Sequence, residues 1–149
     1  PWGRPDMALF KFTRAILEGR PIEIYNGGDL YRDFTYIDDL VRAMRLLIDA
    51  VPEKGRPAGP ADSLSEVAPF RVVNIGNSDK IRLLDFIAAL EEAIGIPANR
   101  HYMEMQKGDV FATWADSSLL KALTGYSPAT DYRTGVARFV EWYRGYYGR

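Results

Sequence analysis

Between residues 7 and 18 the apolar side chains Leu9, Phe10, Ile16 and Leu17, with Thr13 on the same face, recur at helical spacing and predict a helix packed along one side. Pro5 suits a first-turn position and Gly19 a C-terminal stop. Residues 21–25 alternate as a short strand, and Asn26-Gly27-Gly28-Asp29 supplies the positive-φ residues of a tight turn. A second strand near residues 32–37 would complete a hairpin or a looped strand pair. Asp38 or Asp39 is placed to cap the next helix, whose face of Leu40, Met44, Leu47 and Ile48 runs until Val51-Pro52. Residues 52–69 hold four prolines, two glycines and few large apolar groups, the composition of an exposed, flexible loop.

Beyond the loop, residues 70–75 form an apolar strand candidate, and Gly76-Asn77-Ser78-Asp79 turns the chain into a helix with Leu83, Ile87, Leu90 and Ile94 on one face, closed by Gly95. A strand is expected over residues 101–105, and Asp116 is expected to cap a helix over 117–124 that stops at Gly125. The last helix, over residues 133–147, should bury Val136, Phe139, Val140 and Tyr143. There is no internal repeat, and the mixed order of helices and short strands predicts a single domain, residues 1–149, of the α/β class in its mixed α+β form.

Composition narrows the chemistry. A chain of 149 residues that is 47% hydrophobic is long enough for a core. A net charge of −1 without long charge runs leaves no footprint for nucleic acid or membrane, though individual arginines can hold a small anion. Zero cysteines exclude disulfides and thiolate metal sites and accord with a reducing cytoplasm. The start, Pro1-Trp2-Gly3-Arg4-Pro5, resembles the interior of a loop and raises the expectation of a truncated piece. None of the thirteen glycines forms the Gly-x-x-Gly-x-x-Gly turn through which backbone amides approach a dinucleotide pyrophosphate. No Tyr-x-x-x-Lys pair is present to supply a base near neutral pH, and the single His101 cannot build a metal site or a triad alone.

Three segments carry a resemblance: residues 1–8, Pro-Trp-Gly-Arg-Pro-Asp-Met-Ala; residues 31–40, Tyr-Arg-Asp-Phe-Thr-Tyr-Ile-Asp-Asp-Leu; and residues 108–116, Gly-Asp-Val-Phe-Ala-Thr-Trp-Ala-Asp. Together with Val73-Asn74-Ile75-Gly76-Asn77 they resemble the extended short-chain dehydrogenase/reductase family, in its NAD-dependent epimerase/dehydratase branch and among its UDP-glucuronate 4-epimerases. The resemblance implies the small C-terminal substrate-binding domain of a two-domain enzyme, helices packed on short strands, without the Rossmann domain. NAD and the catalytic Tyr and Lys would belong to the chain's own N-terminal domain, and this part, inactive by itself, would hold a UDP-sugar. The family's reaction oxidises carbon 4 of the sugar transiently, interconverting UDP-glucuronate and UDP-galacturonate. A cytoplasmic homo-oligomer is expected. Alternatives are a UDP-glucose epimerase, dehydratase or decarboxylase of the same family, or a standalone nucleotide-sugar binding module.

The resemblance also assigns roles, each with a plainer alternative. Arg32 would grip the pyrophosphate, or pair on the surface with Asp33 or Asp29. Ile24 and Tyr25 would border the base, or fill the core. Asp109 would reach the ribose or the adjacent loop, or serve as a turn residue after Gly108. Arg4 would hold the sugar carboxylate in an orientation that disfavours decarboxylation of the 4-keto sugar, or bridge to Asp6. Lys107 and Phe111 stand where the acidic-sugar epimerases usually have proline, which leaves the sugar open.

Overall fold

In a computed structural model describing residues 5–148, the chain runs α1 (Ala8–Leu17), β1 (Ile22–Tyr25), β2 (Tyr31–Arg32), α2 (Ile37–Asp49), β3 (Ile81–Arg82), α3 (Leu83–Ile94), β4 (Arg100–Met103), β5 (Ala112–Thr113), α4 (Ser118–Thr124) and α5 (Tyr132–Tyr147). This mixture of helices and short strands is the expected fold class. The chain divides into two compact units: Pro1–Arg32 with Ile81–Thr113 and Asp131–Arg149, and Asp33–Lys80 with Trp114–Thr130.

The first unit is built on α3, whose Phe86, Ile87 and Leu90 are completely buried. Each such side chain contributes roughly 1.5–3 kcal/mol by leaving water. Against α3 pack α1, with Ile16 buried, and α5, with Val136, Val140 and Tyr143 buried. Gly95 ends α3 in the left-handed region (φ 75°), and Arg144 of α5 donates to the C-terminal carbonyl of Ile94 at 2.6 Å, placing a cation at the negative end of the helix. Ile22 and Ile24 alternate inward along β1, as the period-two pattern requires.

The expected hairpin does not form. Asn26, Gly27 and Gly28 do take positive φ, but they build a short 3-10 turn, and β1 and β2 lie in different sheets. β1 pairs in parallel with β4, Ile22 opposite Arg100 through Tyr25 opposite Met103. β2, far shorter than residues 32–37 suggested, lies between β3 (antiparallel) and β5 (parallel). Alternation identifies a half-buried strand but is silent about its partner, and here both partners of β2 are distant in sequence.

The second unit packs α2 on α4. Tyr36, rather than an aspartate, occupies the N-cap position of α2, and Asp38 and Asp39 fall in its first turn. Asp39 instead accepts hydrogen bonds from the Tyr126 hydroxyl (2.7 Å), Thr130 N (2.9 Å) and Ala129 N (3.3 Å). The predicted apolar face of α2 is only partly covered: Leu40 and Leu47 are half-buried beside the buried Ala43, while Met44 and Ile48 join Ile37 and Val41 in an exposed stripe. Residues 52–72 contain no helix or strand, but Asp62 closes them on themselves. It accepts from Arg71 Nε and Nη2, both at 2.8 Å, and from Ala58 N and Leu64 N. Residues 70–75 join no ladder, since no strand lies beside them among the described residues, and Phe70 and Val72 are exposed. α4 starts one residue later than anticipated, with Ser117 rather than Asp116 at its N-cap position, and Asp116 accepts from Ser118 N at 2.8 Å from one residue further out.

Candidate functional site

Arg32 ends β2, flanked in the ladders by Ile81 of β3 and Thr113 of β5. The turn before β5 brings the second charged group. Gly108 takes φ 87°, Asp109 N donates to Gln106 O, and the Asp109 carboxylate accepts from its neighbour Val110 N at 2.9 Å. The same oxygen accepts Arg32 Nη2 at 2.8 Å. Arg32 Nη1 donates to Tyr31 O at 2.8 Å, with a longer contact to Phe111 O at 3.5 Å. The Tyr31 and Phe111 rings lie side by side, 5.6 Å between centroids.

This arrangement commits both terminal nitrogens of the guanidinium in part and leaves donors over. Nε–H and one Nη2–H make no hydrogen bond among the described residues, and the side chain is 33% exposed. Donors left over in this way are available to the oxygens of a phosphate or carboxylate. An ion pair this exposed adds only about 0–1 kcal/mol to stability. Its chief effect is to hold the guanidinium in one orientation.

Arg32 pairs with neither Asp33 nor Asp29; Asp29 sits 3.8 Å from Arg82 instead. Ile24 is fully buried, so its side chain belongs to the core and only its backbone is left for a ligand. Tyr25 is half-buried and its hydroxyl donates to Glu23 at 2.9 Å, a bond that raises the phenol above its ordinary range. Arg4 lies outside the described residues. Lys107 and Phe111 are exposed. Arg32 and Asp109 are therefore the two site candidates brought into direct contact.

Asp33, which the sequence offers only as an alternative surface partner for Arg32, has a different set of contacts. Its Oδ2 accepts from Ser78 N (3.0 Å) and Ala115 N (3.2 Å), and its Oδ1 from Asn77 N (3.2 Å). The signal for it was the pairing of an aspartate with a glycine-containing turn far along the chain, which no local pattern links.

Among the described residues β3 runs directly into α3 through Arg82 and Leu83 without a glycine. No group of three or more His, Asp or Glu suited to a metal ion occurs among the described residues. Among the same residues no helix is long and apolar enough to cross a membrane.

A model of the NAD dependent epimerase/dehydratase family matches residues 1–76. The chain is 51% identical to a probable UDP-glucuronate 4-epimerase of Rhizobium meliloti, covering 100% of this chain and 45% of that protein. It is 43% identical to UDP-glucuronate 4-epimerase 1 of Arabidopsis thaliana, covering 99% of this chain and 35% of that one. A solved UDP-glucuronic acid 4-epimerase from Bacillus cereus, in complex with UDP-glucuronic acid and NAD, superposes with a TM-score of 0.75 at 29% identity, over 96% of this chain and 42% of its own. The chain thus spans less than half the length of these relatives.

Proposed function

Since the chain belongs to the NAD dependent epimerase/dehydratase family, we propose that it is the nucleotide-sugar-binding part of a UDP-glucuronate 4-epimerase, with Arg32 gripping the substrate pyrophosphate. The observation that carries this reading is the Arg32 guanidinium, oriented by Asp109 and Tyr31 O, with its Nε–H making no hydrogen bond among the described residues. A permanent, oriented cation binds a diphosphate while making no demand on the sugar, and an epimerase needs that combination because the sugar must turn during the reaction. On this reading the β1 backbone at Ile24 and the ring of Tyr25 border the uracil, Asp109 reaches towards the ribose side, and Arg4 holds the sugar carboxylate.

NAD, the catalytic tyrosine and its lysine come from the remainder of a longer protein, in keeping with relatives more than twice as long. The exposed stripe Ile37, Val41, Met44 and Ile48 and the exposed Phe70 and Val72 offer apolar surface for that remainder. The reading places the protein in the cytoplasm as a homo-oligomer. The test has two parts. The chain alone should bind UDP weakly and turn over no UDP-glucuronate, while the full-length protein should convert UDP-glucuronate to UDP-galacturonate. Release of carbon dioxide with only a pentose nucleotide as product would sink the epimerase assignment. Arg32→Ala without loss of UDP affinity would sink the role of Arg32.

A further inference from the structure

The sheet carrying Arg32 consists of three strands of two residues each, β3-β2-β5. So few ladder bonds hold register weakly, and a slip of one residue would send Arg32 to the opposite face of the sheet. One backbone bond flanks each ladder, Tyr31 N to Phe111 O at 2.9 Å and Leu83 N to Leu30 O at 2.8 Å, and further ties lie beyond the strands. All three continue into the second unit at adjoining points of the chain: Arg32 into Asp33, Thr113 into Trp114, and Ile81 from Lys80.

On the second unit's side these continuations are tied together. The Asp33 carboxylate takes the amides of Asn77, Ser78 and Ala115 at 3.0–3.2 Å. The Lys80 ammonium sits 3.3 Å from the centroid of the Trp114 ring. Ser78 Oγ donates to Ala115 O at 2.9 Å. Buried Ser117 accepts from Gly76 N at 3.0 Å and donates to Gly76 O at 2.8 Å. A Cβ on Gly76 would stand 2.6 Å from Ala115 Cβ and 2.8 Å from Asp33 Oδ2, so the clasp closes only around a glycine.

We infer that Asp33 is a positioning residue for Arg32: by clasping residues 77–78 and 115 it pins the register of β2 against β3 and β5 and keeps the guanidinium on the face where it meets the diphosphate. Asp33 touches no substrate; it acts through the peptide bond it shares with Arg32. The inference rests on the diphosphate role proposed for Arg32.

Binding of UDP and of uridine, which lacks the phosphates, separates the two claims when followed by NMR titration of the protein and its variants. Arg32→Ala should lower the preference for UDP over uridine at least about tenfold, the scale of losing a charge-assisted pair. Asp33→Ala should lower it comparably and leave uridine affinity unchanged. Arg32→Ala with Asp33→Ala should be no worse than Arg32→Ala alone, since the second change acts through the first. Gly76→Ala, which opens the clasp from its other side, should reproduce the Asp33→Ala result, and with Asp33→Asn it carries the test if Asp33→Ala does not fold. Retained UDP preference in the Asp33 and Gly76 variants, beside its loss in Arg32→Ala, would overturn the positioning role and leave Arg32 as the phosphate ligand. Additive losses in the double variant would also overturn it. An unaltered protein without UDP preference, or Arg32→Ala that keeps it, would overturn the Arg32 reading itself.

Discussion

Arg32 Nη2 and Asp109 Oδ1 meet at 2.8 Å across 77 positions of sequence. The contact links two groups that the sequence nominated separately, and it makes Asp109 the neighbour that restrains the cation. Asp109→Ala should therefore lower UDP affinity by about three- to tenfold through loss of orientation, while changing stability by no more than about 1 kcal/mol. Titration calorimetry beside urea denaturation checks both halves, and a large stability loss with unchanged affinity would contradict the assignment.

The Asp39–Tyr126 contact predicts pH limits at both ends. Burial alone would raise the Asp39 carboxyl, but hydrogen bonds from Tyr126, Thr130 and Ala129 outweigh it and hold the group below its ordinary 3.8. Its stabilisation is present above that value and is lost as pH falls through the depressed one. Burial first, then the bond to Asp39, pushes Tyr126 from 10.0 up to about 12, so its share is present below pH 10 and is lost as pH rises towards about 12. Tyr126→Phe should cost about 1 kcal/mol near neutrality and flatten the alkaline limb, as read from melting temperature against pH.

Gly28 combines a φ of 81° with a neighbour that leaves no room: a Cβ there would lie 2.4 Å from Leu84 Cδ2. Gly28→Ala is expected to destabilise by about 1–3 kcal/mol. Gly55→Ala meets similar strain, φ 77°, but open space, and should cost less. Denaturant midpoints of the two variants give the comparison, and equal losses would show that packing at Leu84 adds nothing.

Asp62 ties down residues 58–71, with the Arg71 and Asp62 side chains 6% and 0% exposed. Asp62→Ala should make the bond after Arg71, whose guanidinium it holds, several-fold more open to trypsin without altering cleavage in the first unit. The Arg71 guanidinium holds the Asp62 carboxyl below its ordinary range. The protection should thus persist above the ordinary carboxylate range and vanish as pH falls through the lowered value, which an acid-tolerant protease can follow.

The exposed stripe on α2 predicts self-association of the chain by itself. Met44→Gln with Ile48→Gln should shift sedimentation at high concentration towards monomer while leaving the melting temperature nearly unchanged. A clean monomer before any substitution would remove the basis for this expectation.

Helix positions were legible because their causes are local: the Leu83, Ile87, Leu90 and Ile94 spacing and the left-handed Gly95 and Gly125 stops sit within one segment. Partners across the chain were not. Ile22 and Ile24 announce a buried strand face without indicating that Arg100–Met103 completes the ladder. Asp38 and Asp39 look like caps because short acids at a helix start usually are, and only the packing of Tyr126 onto α2 reveals the other use. Within the site, Arg32 and Asp109 were nominated from motif resemblance. Their contact, and the clasp at Asp33, depend on turns 44 to 82 residues away.

Both sheets are joined by distant partners, and this sets a schedule for synthesis. β1 leaves the ribosome with no strand to pair with until residues 100–103 follow, and β2 waits for residues 112–113 to gain its parallel neighbour. At roughly 5–20 residues per second that is an interval of about 4–16 s in which Ile22 and Ile24 lie open to other nascent chains. Slowed translation between residues 32 and 100 should therefore lower the soluble yield, whereas slowing after residue 113 should have little effect.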